Sequence, residues 1–198
     1  MTNLNSQFNV SHPSVTTDGC PPEVSQAKLQ WFVMRVTYCR ELKIQDELKD
    51  AGVETYVPMR KERSENGIKV VAAVHNFIFV HATRDFMDSY KQKKEYSSLR
   101  YYMDSSTGLP MVVRDKDMNN FMHAMQLSSL EDIQYLDNPD VVVQKGTPIV
   151  VTLGPYKGIE GSLLRIRGDR KVVIQLADIV AATLNGIPRE WVKIKEKQ

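Results

Sequence analysis

Cysteine is nearly absent: Cys20 and Cys39 are the only two in 198 residues. Two thiols in unrelated contexts build neither a disulfide framework nor a four-ligand zinc site. A reducing, cytoplasmic setting is therefore the default expectation. No apolar run approaches the roughly 18 residues a membrane helix needs, and the polar N-terminus lacks the apolar core of a secretory signal. No nucleophile elbow, Walker loop or dinucleotide fingerprint appears. His75 and His81 are six residues apart and are expected to share one strand face, but no His/Cys/carboxylate cluster has metal-ligand spacing. Cys39 reads as a small apolar side chain at a strand–helix junction. No catalysis, cofactor or metal is expected.

Strong charge of either sign is lacking as well. The formal net charge is +2, yet its distribution is uneven: residues 141–198 hold 10 Lys and Arg against 5 Asp and Glu, and residues 1–140 hold 16 against 19. A mildly acidic body carries a basic C-terminal module. Two readings stand, a solvated surface or a contact with nucleic acid or an acidic protein face. Tight stand-alone DNA binding needs a stronger bias.

What is present is ordinary globular composition, 42% hydrophobic and 25% charged, arranged as two unlike halves. Residues 1–28 are polar and aperiodic, and are expected to be a disordered leader. Trp31 to Val36 reads as a strand. Arg40 to Ala51 follows as a helix with Ile44, Leu48 and Ala51 on one face and Gly52 at its C′ position. Val53 to Val57 is a second strand, stopped by Pro58. A charged arm, Arg60 to Glu65, turns at Asn66-Gly67, a type I′ signal, and returns through Ile68 to Val71. Phe77 to Val80 is an apolar strand. Thr83 or Asp85 caps a helix from Phe86 to Glu95, and Leu99 to Met103 is another strand. Asp115 is expected to cap a last helix, in which Met118, Phe121, Met122 and Met125 share a face. This gives an α+β fold with an antiparallel sheet and helices on one face, a ferredoxin-like split βαβ.

Residues 127–140 turn polar and acidic and read as a linker. The strands beyond it are short: Val141 to Val143, Ile149 to Val151, Ser162 to Arg167, Lys171 to Leu176 and Trp191 to Ile194. Gly168-Asp169 is a hairpin turn between two of them. Val172, Ile174 and Leu176 are expected to face inward, with Trp191 as a large filler. The most specific segment lies here: Gly154-Pro155-Tyr156-Lys157-Gly158-Ile159-Glu160-Gly161. It is glycine-rich but has no Gly-Lys-Ser/Thr ending, so it is not a phosphate cradle. Pro155 presets a turn; Gly158 and Gly161 either take positive φ or let another backbone come close.

That segment closely resembles the KOW motif of transcription elongation factors and some ribosomal proteins. The order of pieces over residues 29–196 resembles the NusG family of elongation factors. Those pieces are Trp31-Phe32-Val33, a helix followed by Gly52, Tyr56-Val57-Pro58, the helix Asp115 to Met125, and Ile187-Pro188-Arg189-Glu190-Trp191-Val192. The resemblance implies an NGN domain at 29–126, a linker at 127–140 and a small SH3-like β-barrel KOW domain at 141–198. Val74 and His75 in place of the family's Phe and Pro, the polar leader and the shortened hairpin arm resemble specialised paralogues that antiterminate on long operons, often surface polysaccharide clusters.

The resemblance also implies partners. The clamp region of RNA polymerase would place an aromatic in a pocket formed by Val74, Asn76, Phe77, Tyr101 and Tyr102; Val74 and His75 stand where the family has Phe and Pro. Phe77 and Tyr102 are equally compatible with plain core roles. Tyr38, Arg40 and Lys43 would meet the non-template DNA strand, and Lys61 and Arg63 DNA or polymerase; a solvated helix end and a solvated loop are the plainer readings. Tyr156, Ile159 and Leu163 would bind a ribosomal protein or termination factor, or else are core. A monomer is expected, with no membrane contact. The rival reading is an RNA- or ribosome-binding KOW protein with no polymerase role.

Overall fold

The computed structural model describes residues 28–65, 67–92, 98–130, 133–136, 146–166 and 169–195. The expected leader up to residue 27, Asn66 of the hairpin turn, the end of the second helix, the strand Val141 to Val143 and Gly168 lie outside them. Among the described residues, no helix is long and apolar enough to cross a membrane.

The N-terminal module runs β1 (Gln30–Val36), α1 (Glu41–Asp50), β2 (Glu54–Tyr56), β3 (Met59–Ser64), β4 (Gly67–Ala72), β5 (Phe77–Ala82), α2 (Arg84–Lys91), β6 (Leu99–Tyr101), β7 (Val112–Val113) and α3 (Asp115–Leu127). The main sheet has the order β2-β5-β1-β6, with β7 also on β1. Every pairing is antiparallel. With β1 and β5 central, this is the split βαβ arrangement expected. β3 and β4 form a separate two-stranded ribbon.

Strand alternation divides the core between the two faces of this sheet. Phe32, Met34, Val36, Ile78 and Val80 pack with Ile44 and Leu48 of α1 and Met87 and Tyr90 of α2. Trp31, Val33 and Phe79 point the other way and pack with Met118, Phe121 and Ala124 of α3. Helices therefore cover both faces, not one: α3 begins only after β7 has brought the chain along β1, on the side that α1 and α2 leave open. The cap of α2 and the glycine after α1 follow expectation, whereas the start of α3 and the exposure of Ala51 differ from it. Thr83 caps α2, its Oγ1 accepting from the Phe86 N–H at 3.2 Å. Asp115 is the first residue of α3, preceded by Arg114 at the cap position. Ala51 is exposed, and Gly52 takes φ +76° with its N–H on the Lys49 carbonyl at 2.8 Å.

The C-terminal module contains β8 (Gln134–Tyr135), β9 (Thr147–Val151), β10 (Glu160–Ile166), β11 (Asp169–Leu176), β12 (Val180–Leu184) and β13 (Val192–Ile194). They form one six-stranded sheet, β13-β9-β10-β11-β12-β8. Among the described residues, β13 and β8 are its outer strands. Val172, Ile174 and Leu176 are buried as expected, in one cluster with Ile149, Val151 and Ile159. Val173 is buried too, on the opposite face, against Leu164 and Ala181. The glycines of the β9–β10 loop divide two tasks. Gly154 has φ +76°, and a Cβ there would sit 2.1 Å from the Trp191 ring. A Cβ at Gly161 would meet the Val173 carbonyl oxygen at 2.6 Å, so only glycine lets β11 approach this closely.

The modules are docked through α3. The Lys116 Nζ donates to Glu160 at 2.8 Å, and Asn120 bonds the Glu160 backbone. The hydroxyls of Ser128 and Tyr156 lie 3.0 Å apart. Tyr135 of β8 donates its hydroxyl proton to the Met59 carbonyl at 3.1 Å. Burial pushes that hydroxyl up to about 12, so it remains a donor at neutral pH.

Candidate functional site

Among the described residues, the turn before β5 is one of two places in the N-terminal module where non-glycine backbone takes positive φ, the other being Tyr38-Cys39. His75 lies in this turn, not on the strand, so it shares no strand face with His81. Asn76 has φ +67°, and its N–H is held by the carboxylate of Glu41, which is buried at 3% exposure at the start of α1. The chain then enters β5 with Phe77. Its ring meets Tyr102 edge-on, with centroids 5.3 Å apart and planes at 81°, a favoured aromatic geometry. The Arg35 guanidinium lies 5.9 Å from the Phe77 centroid. Phe77 and Tyr102 are both half-buried, as is Val74, and all three pack against the α3-side cluster.

Tyr101 goes elsewhere. Alternation turns it to the α1–α2 face, where its ring packs on Phe32. Its hydroxyl donates to Asp88 at 3.0 Å, and the Lys91 ammonium sits 3.7 Å from its centroid. Burial and the Asp88 carboxylate both raise the Tyr101 hydroxyl. For Asp88 itself, burial works upward, but hydrogen bonds from Lys91 and Tyr101 and the nearby cations outweigh it and lower the carboxyl. Of the five residues expected at one pocket, the structure gathers Val74, Asn76, Phe77 and Tyr102 around the β5 entry and sends Tyr101 through to the opposite face.

Beyond Tyr102 the chain makes a bridge between Met103 and Pro110. Met103 and Leu109 stand out from it at 49% and 61% exposure. Sequence reasoning passed over both. The signal was two large apolar residues flanking a Ser-Ser-Thr-Gly turn, where nothing buries them.

Tyr38 and Cys39 both have positive φ, +63° and +50°. This kink swings Tyr38 into solvent at 82% exposure and leaves Cys39 exposed rather than packed at a junction. The Arg40 guanidinium lies 5.8 Å over the Tyr38 ring. Lys43, one turn along α1, pairs with Glu47 at 3.7 Å. Lys61 and Arg63 are exposed on β3.

In the C-terminal module, Ile159 is 1% exposed and belongs to the core, so it offers no surface to a partner. Its N–H bonds back to the Tyr156 carbonyl within the tight loop, which draws the side chain inward. Tyr156 is half-buried against the end of α3. Leu163 lines a hollow of about 950 Å³ together with Val172, Ile187 and three arginines, Arg165, Arg170 and Arg189.

No curated protein sequence matched the chain. The solved structure "Domain interaction in Thermotoga maritima NusG" is similar, at 16% identity and a TM-score of 0.46, covering 85% of this chain and 98% of that one. The family described as "NusG: Transcription termination factor nusG" matches residues 29–122, which span β1 through most of α3. Through that module, just under half of its length, the chain is similar to the NusG family of transcription factors.

Proposed function

We propose that this protein is an elongation and antitermination factor that rides on RNA polymerase and suppresses pausing or termination. In this reading Phe77 and Tyr102, with Val74 and Asn76 beside them, receive an aromatic from the clamp region of the polymerase. The observation that carries it is the half-buried Phe77–Tyr102 pair, an edge-on aromatic surface not fully covered by its own module. Such aromatics supply most of the energy of compact interfaces. The exposed Met103 and Leu109 widen the apolar surface available on the same loop system.

The mechanism is mechanical. A factor that bridges the closed clamp better than the open one shifts the equilibrium toward the closed, processive state, and a few kcal/mol of differential affinity is enough. Tyr38 and Arg40 meet the exposed non-template strand, the ring stacking on a base and the guanidinium reaching a phosphate; the extreme exposure of Tyr38 supports this. Lys43, Lys61 and Arg63 add phosphate contacts. The barrel recruits a ribosomal protein or termination factor through Tyr156 and Leu163. We assign the NGN domain to 29–126, the linker to 127–140 and the KOW domain to 141–198. The regulated genes are long operons of the surface polysaccharide type.

Co-purification with polymerase tests the reading. Wild-type chain retains polymerase, and Phe77→Ala and Tyr102→Ala each weaken binding by about 30-fold, the cost of a hot-spot residue, with unchanged circular dichroism. Transcripts through a pause site lengthen with the wild type only. Ribosomal RNA in place of polymerase would instead establish an RNA- or ribosome-binding KOW protein.

A further inference from the structure

Two metal-ligating side chains at the α1 entry, Cys39 and Glu41, converge with a third, His75, from the turn before β5. A ligand atom from each of Cys39, Glu41 and His75 lies within 4.8 Å of the other two. We propose that they form a zinc site. The donor set is one thiolate, one carboxylate and one imidazole, which suits a borderline-soft ion with tetrahedral geometry.

Several independent features of the backbone produce the convergence. Positive φ at both Tyr38 and Cys39 bends the chain just before α1, and the Cys39 Sγ lies within 4.8 Å of the Glu41 carboxylate. Strained non-glycine backbone of this kind persists where the surroundings hold it for a purpose. Positive φ at Asn76 forms the turn that presents His75. Glu41 ties the two segments together, because its carboxylate already accepts the Asn76 N–H from within a buried position. A buried carboxylate held by a backbone donor is an oriented ligand rather than a solvated charge.

The geometry is near that of a bound ion. Tetrahedral zinc ligands at ordinary bond lengths stand roughly 3.4–3.7 Å apart. Cys39 and His75 are exposed and can swing inward by about the ångström required, while Glu41 is fixed. Three protein ligands leave the fourth position to water or to a ligand from a partner. Binding releases the Cys39 thiol proton to solvent, since the thiolate is the ligand. The ion would join the turn carrying Val74 and Phe77 to the kink carrying Tyr38 and Arg40.

Titration of the metal-free full chain with zinc chloride, followed by calorimetry, tests the site. One zinc per chain is expected. Cys39→Ser and His75→Ala should each weaken binding at least about tenfold, as disruption around zinc ligands does. Cys20→Ser, His81→Ala and His123→Ala should leave it unchanged. Cobalt substitution gives a second readout: a thiolate-to-cobalt band present in the wild type and gone in Cys39→Ser. Glu41→Gln keeps an oxygen for Asn76 and should weaken zinc binding while preserving the fold by circular dichroism. Wild-type chain that takes up no zinc at micromolar concentrations would overturn the proposal. So would binding that survives Cys39→Ser or His75→Ala, or that depends on Cys20. Neither result bears on polymerase binding by Phe77 and Tyr102, so the two readings stand or fall separately.

Discussion

Asn120 of α3 and the backbone of Glu160 exchange two hydrogen bonds: the Asn120 Nδ2 donates to the Glu160 carbonyl at 2.8 Å, and the Glu160 N–H donates to the Asn120 Oδ1 at 2.8 Å. A side-chain amide here imitates a peptide group and grips the opening residue of β10. Asn120→Ala removes both bonds at once. Leaving docked polar groups unpaired costs about 1–3 kcal/mol, so the modules should separate more often. Small-angle scattering should report a larger radius of gyration with unchanged secondary structure. An unchanged radius would assign the docking to the apolar cluster around α3 alone.

Acid should loosen the same contact. Hydrogen bonds from Lys116 and Lys195 hold the Glu160 carboxyl below its ordinary value. A carboxyl lowered in the folded state contributes fully above its ordinary range, and that contribution is lost as pH falls through the lowered value. Docking should therefore be flat with pH near neutrality and weaken below about pH 4.5, the ordinary glutamate value. Fluorescence transfer between labels on the two modules would follow it. Glu160→Gln should flatten the dependence.

The two neighbouring tyrosines should behave oppositely. Tyr101→Phe removes only the bond to Asp88, a loss of about 1 kcal/mol in stability, and should not change polymerase affinity. Tyr102→Ala should do the reverse, removing affinity with a small change in melting. Parallel binding and melting measurements on the pair would check whether the β5 entry, and not the α2 face, meets the partner.

Gly154→Ala should destabilise the C-terminal module. Positive φ costs a residue with a Cβ about 1–2 kcal/mol, and the new methyl would overlap the Trp191 ring. Displacing a packed ring adds about 1–3 kcal/mol. Denaturant unfolding followed by Trp191 emission, with Trp31→Phe as the background, would measure it.

Where local pattern decided the structure, the sequence was readable. Alternation in Trp31 to Val36, Gly52 after α1, and the glycines around Tyr156 each follow from a constraint within a few residues. β12 was missed for a physical reason: Val180 to Leu184 is buried at every position, because both faces of the sheet are covered there, so no alternation marks it. β8 was hidden in the acidic stretch read as linker, since two residues pairing with β12 leave no periodic trace. The side of the sheet taken by α3 depends on where β7 delivers the chain. At the candidate site, Phe77 and Tyr102 were legible as aromatics in the right order. The opposite destinations of Tyr101 and Tyr102 required the strand register. The meeting of Cys39 with His75 required two turns of positive φ that no local motif announces.

The C-terminal sheet ends on β13, whose outer side pairs with no described strand. An unpaired border of this kind invites a second chain to add on, and from there fibrous self-association. Lys193 and Lys195 flank the highly exposed Ile194 on that border. Their charges act as gatekeepers against stacking of one copy upon another. A variant with both lysines neutralised should lose solubility long before it loses its fold.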